Sequence, residues 1–355
     1  MTAAAAVGPE ERGGLLFPFG CAAPAPGAVR EIAPGIHWLR MPLPFSLDHI
    51  NLWLLDAGDH WALVDTGLAT AEVRALWEAC LAGRLSAKPL GRLIVTHAHP
   101  DHIGLAGWLA PRFGLLPEVA RAEFLLARVL LLDAGGHPPE DVVAFYARHG
   151  WPEEAVSALR RAPWGSFARA VHPLPRSYRR LREGDRLAIG GRTFAVLTGA
   201  GHSPEHVCLW CREEAILIAG DQVLPDITSN VSVYPTEPEA NPLADWLSSI
   251  ARLRALLPAD TLVLPAHGRP FRGLHARLDQ LALDHRLKLD RLEGALAAAP
   301  RTAFETFGTL FRRPVGAGER QMATGEALAH LHYLEAEGRA ERLAGPDGRI
   351  RFARR

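Results

Sequence analysis

The sequence predicts an α/β fold of layered strands and helices, with a smaller helical domain after it. Short apolar runs that are typical of strands alternate with helical patterns between residues 36 and 264, and such alternation favours α/β layers. From residue 274 onward the strand patterns give way to helical ones, which end in a short hairpin pattern. With 355 residues, of which 48% are hydrophobic and 22% charged, the chain can bury a large core.

The elements of the α/β part follow from the spacing of apolar residues. Predicted strands occupy residues 36–41, 50–55, 61–64, 93–95, 193–197, 207–210, 215–218 and 261–264. Predicted helices occupy residues 70–81, 103–109, 118–132, 139–148, 153–161 and 242–257. Because residues 111–180 contain mainly helical patterns broken by Gly and Pro, we interpret them as a helical insertion.

The chain divides into three parts in this interpretation. Residues 1–30 are rich in Ala, Gly and Pro, which predicts a flexible leader. Residues 31–272 form the predicted α/β domain, and residues 273–355 form a C-terminal domain that we interpret as winged-helix-like. The patterns behind that interpretation are helices at 275–298, 302–311 and 324–337 and a hairpin with a Pro-Asp-Gly turn at 342–352.

The composition argues against several classes of protein. The chain has 39 basic and 39 acidic residues, so its net charge gives no overall attraction to nucleic acid or to a membrane surface. Four cysteines do not make a disulfide framework in a chain of this length, and for Cys208 and Cys211 core packing is favoured. No apolar run approaches the ~18 residues of a membrane span, and residues 1–20 lack the order of a signal peptide. We therefore expect a cytoplasmic protein without a membrane partner.

A cluster of histidines and one aspartate follows the predicted strand 93–95. The cluster consists of His97, His99, Asp101 and His102. Residues two apart on an extended segment point to the same side, so His97 and His99 can reach one metal ion together. Asp101 and His102 lie beyond a turn and can reach a second ion. Neutral imidazoles and carboxylates suit Zn²⁺ or a similar divalent ion.

Three more candidate ligands each follow a predicted strand and have a glycine beside them. They are His202, Asp221 and His267. Strand ends that meet at one edge of a sheet would bring them to the histidine cluster. We predict that His97, His99 and His202 hold one ion, that Asp101, His102 and His267 hold a second, and that Asp221 bridges the two.

Such a pair of ions would lower the pKa of a bound water to about 7 and so make hydroxide available for hydrolysis at neutral pH. Asp101 and Asp221 are therefore predicted to belong to the catalytic centre as well as to the metal site.

The roles of three neighbouring residues stay open at this point. Asp65 could orient a ligand histidine, or it could serve the turn that begins at Thr66. Glu205 and His206 could line the site, or they could simply begin the next strand. The remaining histidines considered lack ligand spacing and are interpreted as structural: His60, His137, His149, His172, His275, His285, His330 and His332.

These motifs resemble those of the metallo-β-lactamase superfamily. Residues 97–102 are similar to its HxHxDH signature, and the segments 63–67, 201–206, 220–221 and 266–268 resemble its other motifs in the usual order. The resemblance covers residues 35–272 and implies an αββα sandwich of two mixed sheets flanked by helices. It also assigns the seven ligand positions of the family to the seven residues named above.

Two further features indicate which branch of that family the chain resembles. Asp101 resembles the hydrolase branches, which include thioesterases, lactonases and nucleases, and not the zinc β-lactamases. Residues 275–355 resemble the winged-helix tail of the β-lactamase-like-protein-2 branch, some members of which act on RNA. The insertion 111–180 departs from the family, because many members have a short crossover there.

We therefore expect a hydrolase with two Zn²⁺ per chain that cleaves an ester, thioester or lactone of a small molecule, with Mn²⁺ or Fe²⁺ as other candidate metals. The alternatives are a metal-dependent nuclease acting on RNA and, third, an iron redox enzyme or a nucleic-acid-binding protein. Neutral net charge favours the first. The basic run 176–182 is a solvated face or, if it faces the metals, a site for an anionic substrate. The sequence leaves monomer and homodimer open.

Overall fold

The computed structural model describes residues 8–355, which fold around two facing sheets. The strands are β1 (Glu10–Arg12), β2 (Leu15–Phe17), β3 (Val29–Ala33), β4 (Ile36–Pro42), β5 (His49–Asp56), β6 (Trp61–Val64), β7 (Leu90–Ile94), β8 (Glu118–Ala120), β9 (Arg179–Leu181), β10 (Arg186–Ile189), β11 (Arg192–Gly199), β12 (His206–Cys211), β13 (Ile216–Gly220), β14 (Leu262–Pro265), β15 (Ala340–Ala344) and β16 (Ile350–Arg354). The helices are α1 (Ala71–Ala82), α2 (Pro100–Ile103), α3 (Ala106–Arg112), α4 (Arg121–Leu132), α5 (Glu140–Arg148), α6 (Glu153–Arg161), α7 (Ser166–Ala170), α8 (Pro242–Leu256), α9 (Leu274–Ala298), α10 (Phe307–Leu310) and α11 (Arg320–Ala336).

Both sheets are mixed. The first has the strand order β3-β4-β5-β6-β7-β8-β9, with antiparallel pairs as far as β6 and parallel pairs from β6 onward. The second has the order β10-β11-β12-β13-β14, in which only β13 and β14 are parallel. Together with the flanking helices, these sheets confirm the predicted sandwich.

Side chains along each strand point alternately to the two faces of the sheet, and this alternation separates the core between the sheets from the outer layers. On β5, Trp53 faces the core between the sheets, whereas Leu52 and Leu54 face the outer layer with α1 and α3. On β12, Cys208 and Cys211 are both buried free thiols, but they belong to the cores on opposite faces of the second sheet. Core packing therefore accounts for both cysteines.

The short strands are where the structure departs from the sequence predictions. The helix predicted at 118–132 begins only at Arg121, because Glu118–Ala120 forms β8 between β7 and β9 of the first sheet. Strands β3, β9 and β10 were also not predicted. Unlike the short strands that were predicted, each of these segments contains a charged residue among few apolar ones, so its partners in the sheet determine its conformation.

The prediction of a flexible leader over residues 1–30 is wrong where the structure describes this segment. Strands β1 and β2 form an antiparallel hairpin, and Leu15 and Phe17 are buried in the main core. The backbone of Leu16 also pairs with that of Arg272. These two apolar side chains override the Ala-, Gly- and Pro-rich composition around them; residues 1–7 lie outside the described part.

The C-terminal elements come in the predicted order, with two differences in their bounds. The helix predicted at 302–311 is a 3₁₀ turn at Phe304–Thr306 followed by α10, and α11 begins four residues early, at Arg320. Strands β15 and β16 form the predicted hairpin. Leucines of α9 and α11 share one core with the second sheet and with α5, α6 and α8. The C-terminal stretch is thus packed onto the sandwich, and its comparison with a winged helix stays a prediction.

Within residues 8–355, no helix has both the length and the apolar character required to cross a lipid bilayer.

Candidate metal centre

The predicted ligands follow strands whose ends lie at one edge of the sandwich. The segment 96–102 follows β7, and Asp221 and His267 follow the parallel pair β13 and β14. His202 follows β11 of the same sheet. The ligand atoms of these residues form two compact groups, one of His97, His99, His202 and Asp221 and the other of Asp101, His102 and His267. The structure therefore brings together all seven residues singled out in the sequence.

The first group contains three imidazoles packed closely together. His97 Nε2 lies 2.9 Å from His99 Nδ1 and 3.2 Å from His202 Nε2. Asp221 Oδ2 lies 3.4 Å from His202 Nε2. Imidazole nitrogens and a carboxylate oxygen at these separations present their lone pairs to one small volume, which is the arrangement that a divalent cation requires.

The second group places carboxylates between two imidazoles. Asp101 Oδ2 lies 3.3 Å from His267 Nε2 and 3.7 Å from His102 Nε2. Asp221 Oδ1 lies 3.4 Å from His267 Nε2 and 3.5 Å from His102 Nε2. One oxygen of Asp221 therefore faces each group, as in a carboxylate that bridges two ions.

Two buried atoms of these groups support a fit to metal. His102 Nε2 and Asp221 Oδ1 have no hydrogen-bond partner among residues 8–355, although both are shielded from solvent. Buried polar atoms are normally satisfied, and each one that is not costs about 1–3 kcal/mol. A cation between these atoms would satisfy both, so the residues fit a metal site.

Hydrogen bonds behind the imidazoles fix which nitrogen points inward. The Nδ1 atoms of His202 and His267 donate to the backbone carbonyls of Asn230 and His49, each at 2.7 Å. His102 Nδ1 donates to Asp65 Oδ2 at 2.8 Å. Because Nδ1 carries the hydrogen in each case, the Nε2 lone pair is free to face the centre.

Asp65 takes the first of the two roles that the sequence left open, the orientation of a ligand histidine. It occupies the turn after β6 with a φ of 61°, and its side chain is buried. Its carboxylate accepts hydrogen bonds from the backbone N–H and the hydroxyl of Thr96, at 2.7 and 2.8 Å, in addition to the bond from His102. Asp65 thus holds the start of the ligand segment and orients one of its histidines.

His206 begins β12 and also packs against the centre. Its ring stacks on His97 with 4.8 Å between ring centroids, and its Nε2 accepts the backbone N–H of Asp221 at 3.1 Å. Gly220 makes this contact possible, because a Cβ there would lie 2.6 Å from His206 Nε2. The carboxylate of Glu205 accepts the N–H of Ala122 at 3.0 Å and belongs to neither ligand group.

Sequence reasoning missed three residues that support the ligands. Asn230 and His49 act through their backbone carbonyls, which no side-chain pattern reveals. Glu123 is fully buried beside the ligand segments, although a glutamate in the first turn of a helix is normally on the surface. Nothing in the local sequence distinguishes Glu123 from a solvated residue.

The electrostatics of the two groups differ when no cation is present. Burial and the neighbouring His202 lower the pKa of His99 to about 3, so this imidazole of the first group stays neutral. Burial disfavours a charged His267, but Asp221 and Asp101 raise its pKa to about 10. Burial opposes ionisation of Asp101 as well, yet His102 and His267 lower its pKa to about 2. In the second group, protons bound to the imidazoles therefore balance the negative charge of the carboxylates when no metal ion is present.

The basic run 176–182 lies along the edge strand β9. Arg179 is exposed and lies 3.9 Å from Glu118. Arg180 lies 3.7 Å from Glu205, and Glu205 is three residues after the ligand His202. Arg180 is therefore the residue of this run whose acidic partner lies next to a ligand segment.

Comparison with known proteins identifies the family. Residues 46–267 match the model of the Metallo-beta-lactamase superfamily, and residues 289–355 match that of the Metallo-beta-lactamase-like, C-terminal domain. The chain therefore belongs to the metallo-β-lactamase superfamily and is a hydrolase of that group, as the motifs predicted. Its cluster of histidines and aspartates is the metal-binding cluster typical of this fold.

Three relatives show which members of the family this chain is similar to. A β-lactamase domain protein from Burkholderia ambifaria has a solved structure that is 43% identical, with a TM-score of 0.88 over 96% of this chain and 98% of that one. Acyl-coenzyme A thioesterase MBLAC2 of Gallus gallus is 29% identical over 69% of this chain and 81% of its own length. Beta-lactamase-like protein 2 homolog of Caenorhabditis elegans is 24% identical over 70% and 66%. These relatives confirm the predicted branch.

Proposed function

We propose that the protein is a dinuclear zinc hydrolase that cleaves an ester-type bond, most specifically the thioester of a small acyl compound. The observation that carries the proposal is the orientation of Asp221, whose two oxygens face the two ligand groups separately. The thioester preference is supported by the relative named an acyl-coenzyme A thioesterase. Esters and lactones have the same reacting carbonyl and belong to the same proposal.

Each side chain has a defined part in the proposed centre. His97, His99 and His202 hold the first ion, and Asp101, His102 and His267 hold the second, with Asp221 between them. Two zinc ions, when bound, would supply an activated water and polarise the scissile carbonyl. Asp65, His49 and Asn230 keep the imidazoles in the orientation that this requires.

Access to the centre is at Asp101 and His99, which are the two partly exposed ligands. The side chain of Asp101 is 19% exposed, whereas those of His102, His202 and His267 are at most 4% exposed. A substrate would therefore approach over Asp101 and His99, and only a small reacting group such as a thioester carbonyl would reach the buried ligands.

The charges of the C-terminal hairpin favour a small molecule over RNA. Arg339 is paired with Glu293, and Arg342 is paired with Glu239 and Glu335. Arg351 is likewise paired with Asp347. Cations that are already paired offer little to phosphates, and affinity for nucleic acid depends on neutralising phosphates.

The test measures metal content and substrate range on one sample. Purified protein is analysed for bound metals and then assayed on acyl-coenzyme A thioesters, lactones, phosphodiesters and RNA. We expect two zinc per chain and turnover of thioesters, abolished in Asp101→Ala and His97→Ala and retained in His137→Ala, which changes an exposed histidine outside the centre. One iron per chain would support the redox alternative, and cleavage of RNA without thioester turnover would support the nuclease.

A further inference from the structure

Glu123 connects the insertion to both segments that supply the first ligand group. It lies in the first turn of α4 and is fully buried. Its Oε2 accepts the backbone N–H of Ala98 at 2.8 Å, and its Oε1 accepts the backbone N–H of Glu205 at 2.7 Å. A single carboxylate therefore ties together two stretches that are far apart in the sequence.

Both contacts are close to ligands of the same group. Ala98 lies between His97 and His99, and Glu205 is three residues after His202. These three histidines are the imidazoles of the first group, in which His97 Nε2 lies 3.2 Å from His202 Nε2. The bonds to Glu123 thus fix the distance between the two backbones that carry these imidazoles.

Hydrogen bonds between the N-terminus of α4 and Glu205 run in both directions. The N-terminus of α4 has no capping side chain of its own, and the carboxylate of Glu205 accepts the N–H of Ala122 at 3.0 Å. Glu123 in return accepts the N–H of Glu205. Such reciprocal bonds satisfy otherwise unpaired donors on both segments and fix one segment against the other.

We propose that Glu123 is a positioning residue for the metal ion of the first group, so that the helical insertion is part of the metal centre. Asp65 holds His102 of the second group in a comparable way. This inference rests on the proposed dinuclear centre.

The test compares zinc binding in matched variants by chelator competition and by the visible spectrum of the cobalt-substituted protein. In Glu123→Gln one oxygen is replaced by an amide that cannot accept a backbone N–H, and Glu123→Ala removes both acceptors. Glu123→Asp keeps both acceptors and serves as the conservative variant. The control is Glu118→Gln, which removes a buried carboxylate that pairs with Arg92 and touches no ligand segment.

We expect two equivalents of zinc in the native sequence and in Glu118→Gln. Glu123→Gln should bind one of the two about 10–100-fold more weakly, as is usual when the support of a metal ligand is lost. Glu123→Ala should show the same or a larger loss, and Glu123→Asp should recover part of it. The double variant with Asp65→Asn should weaken both equivalents, because Asp65 holds His102 of the second group.

Several outcomes would overturn the inference. Folded Glu123→Gln that binds both equivalents with native affinity would do so, and so would a double variant that binds zinc no more weakly than Asp65→Asn alone. If Glu123→Gln fails to fold while Glu118→Gln folds, the role of Glu123 is purely structural. A native protein that binds fewer than two equivalents would instead contradict the proposed dinuclear function, whatever the variants do.

Discussion

Gly325 of α11 sets the distance between the C-terminal helix and the loop that orients His202. The loop residue Val233 donates its N–H to the carbonyl of Gly325 at 3.1 Å. A Cβ at position 325 would lie 2.7 Å from the Cβ of Ser232, whereas ordinary contacts begin at 3.4 Å. The substitution Gly325→Ala must therefore move the loop by about 0.7 Å.

That movement would reach the metal centre through two hydrogen bonds. Ser232 Oγ donates to Asn230 Oδ1 at 2.6 Å, and the carbonyl of Asn230 accepts Nδ1–H of His202 at 2.7 Å. Lengthening the second bond by the same amount gives about 3.4 Å, which is outside the normal range for N–H···O bonds. We expect zinc affinity at the first group to fall by about 10–100-fold.

Stability should change less than affinity. Overpacking costs about 1–3 kcal/mol, and replacing glycine in a helix interior by alanine gains about 1 kcal/mol. Zinc affinity is measured by chelator competition, and the free energy of unfolding by denaturant titration. Gly294→Ala in α9 is the matched control, because nothing lies within 4 Å of its added Cβ. Native zinc affinity in Gly325→Ala, together with a loss of stability, would refute the path through Asn230.

Three further predictions concern the metals and the buried histidines. Asp65→Asn should lower zinc affinity at the second group by about 10–100-fold while thermal unfolding, followed by circular dichroism, stays cooperative; unchanged affinity would mean that Asp65 serves the turn alone. Removing metal with a chelator should lower the free energy of unfolding by about 2.7 kcal/mol for each ion lost, relative to protein with free zinc at 100 times the dissociation constant of that site, and a calorimetric melt that is insensitive to the chelator would contradict this. Burial and the nearby His330 lower the pKa of His285 from its ordinary 6.5 to about 2, so this group stabilises the fold fully above pH 6.5 and loses that contribution as pH falls. Between pH 7 and pH 5 the loss is about 2 kcal/mol, and denaturant titrations of His285→Asn should show a correspondingly smaller pH dependence than the native protein.

The candidate site was predictable because strand ends determine it. The spacing of His97, His99, Asp101 and His102 marks one loop, and the sheet topology brings the later strand ends to it. The sandwich was implied by the family resemblance, and the alternation of apolar residues on β5 and β12 is consistent with it.

The parts that could not be predicted depend on tertiary contacts. Strands β1, β2, β8 and β9 have three residues each, so they carry almost no periodic signal. Glu123 has the sequence context of a solvated helix residue, and only the folded chain places Ala98 and Glu205 against it. Backbone carbonyls such as that of Asn230 are the same in every residue, so their partners cannot be inferred from residue type.

The core shared by α9, α11 and the second sheet has a consequence for unfolding. Leu281 and Leu328 belong to the same apolar cluster as Trp246 and Val263, so neither side keeps its interior if the other melts. The whole assembly should unfold in one thermal transition rather than as two independent modules. Truncation before α9 would consequently expose the back of the catalytic sheet to water, and no shorter fragment can stand in for the intact chain in measurements of activity.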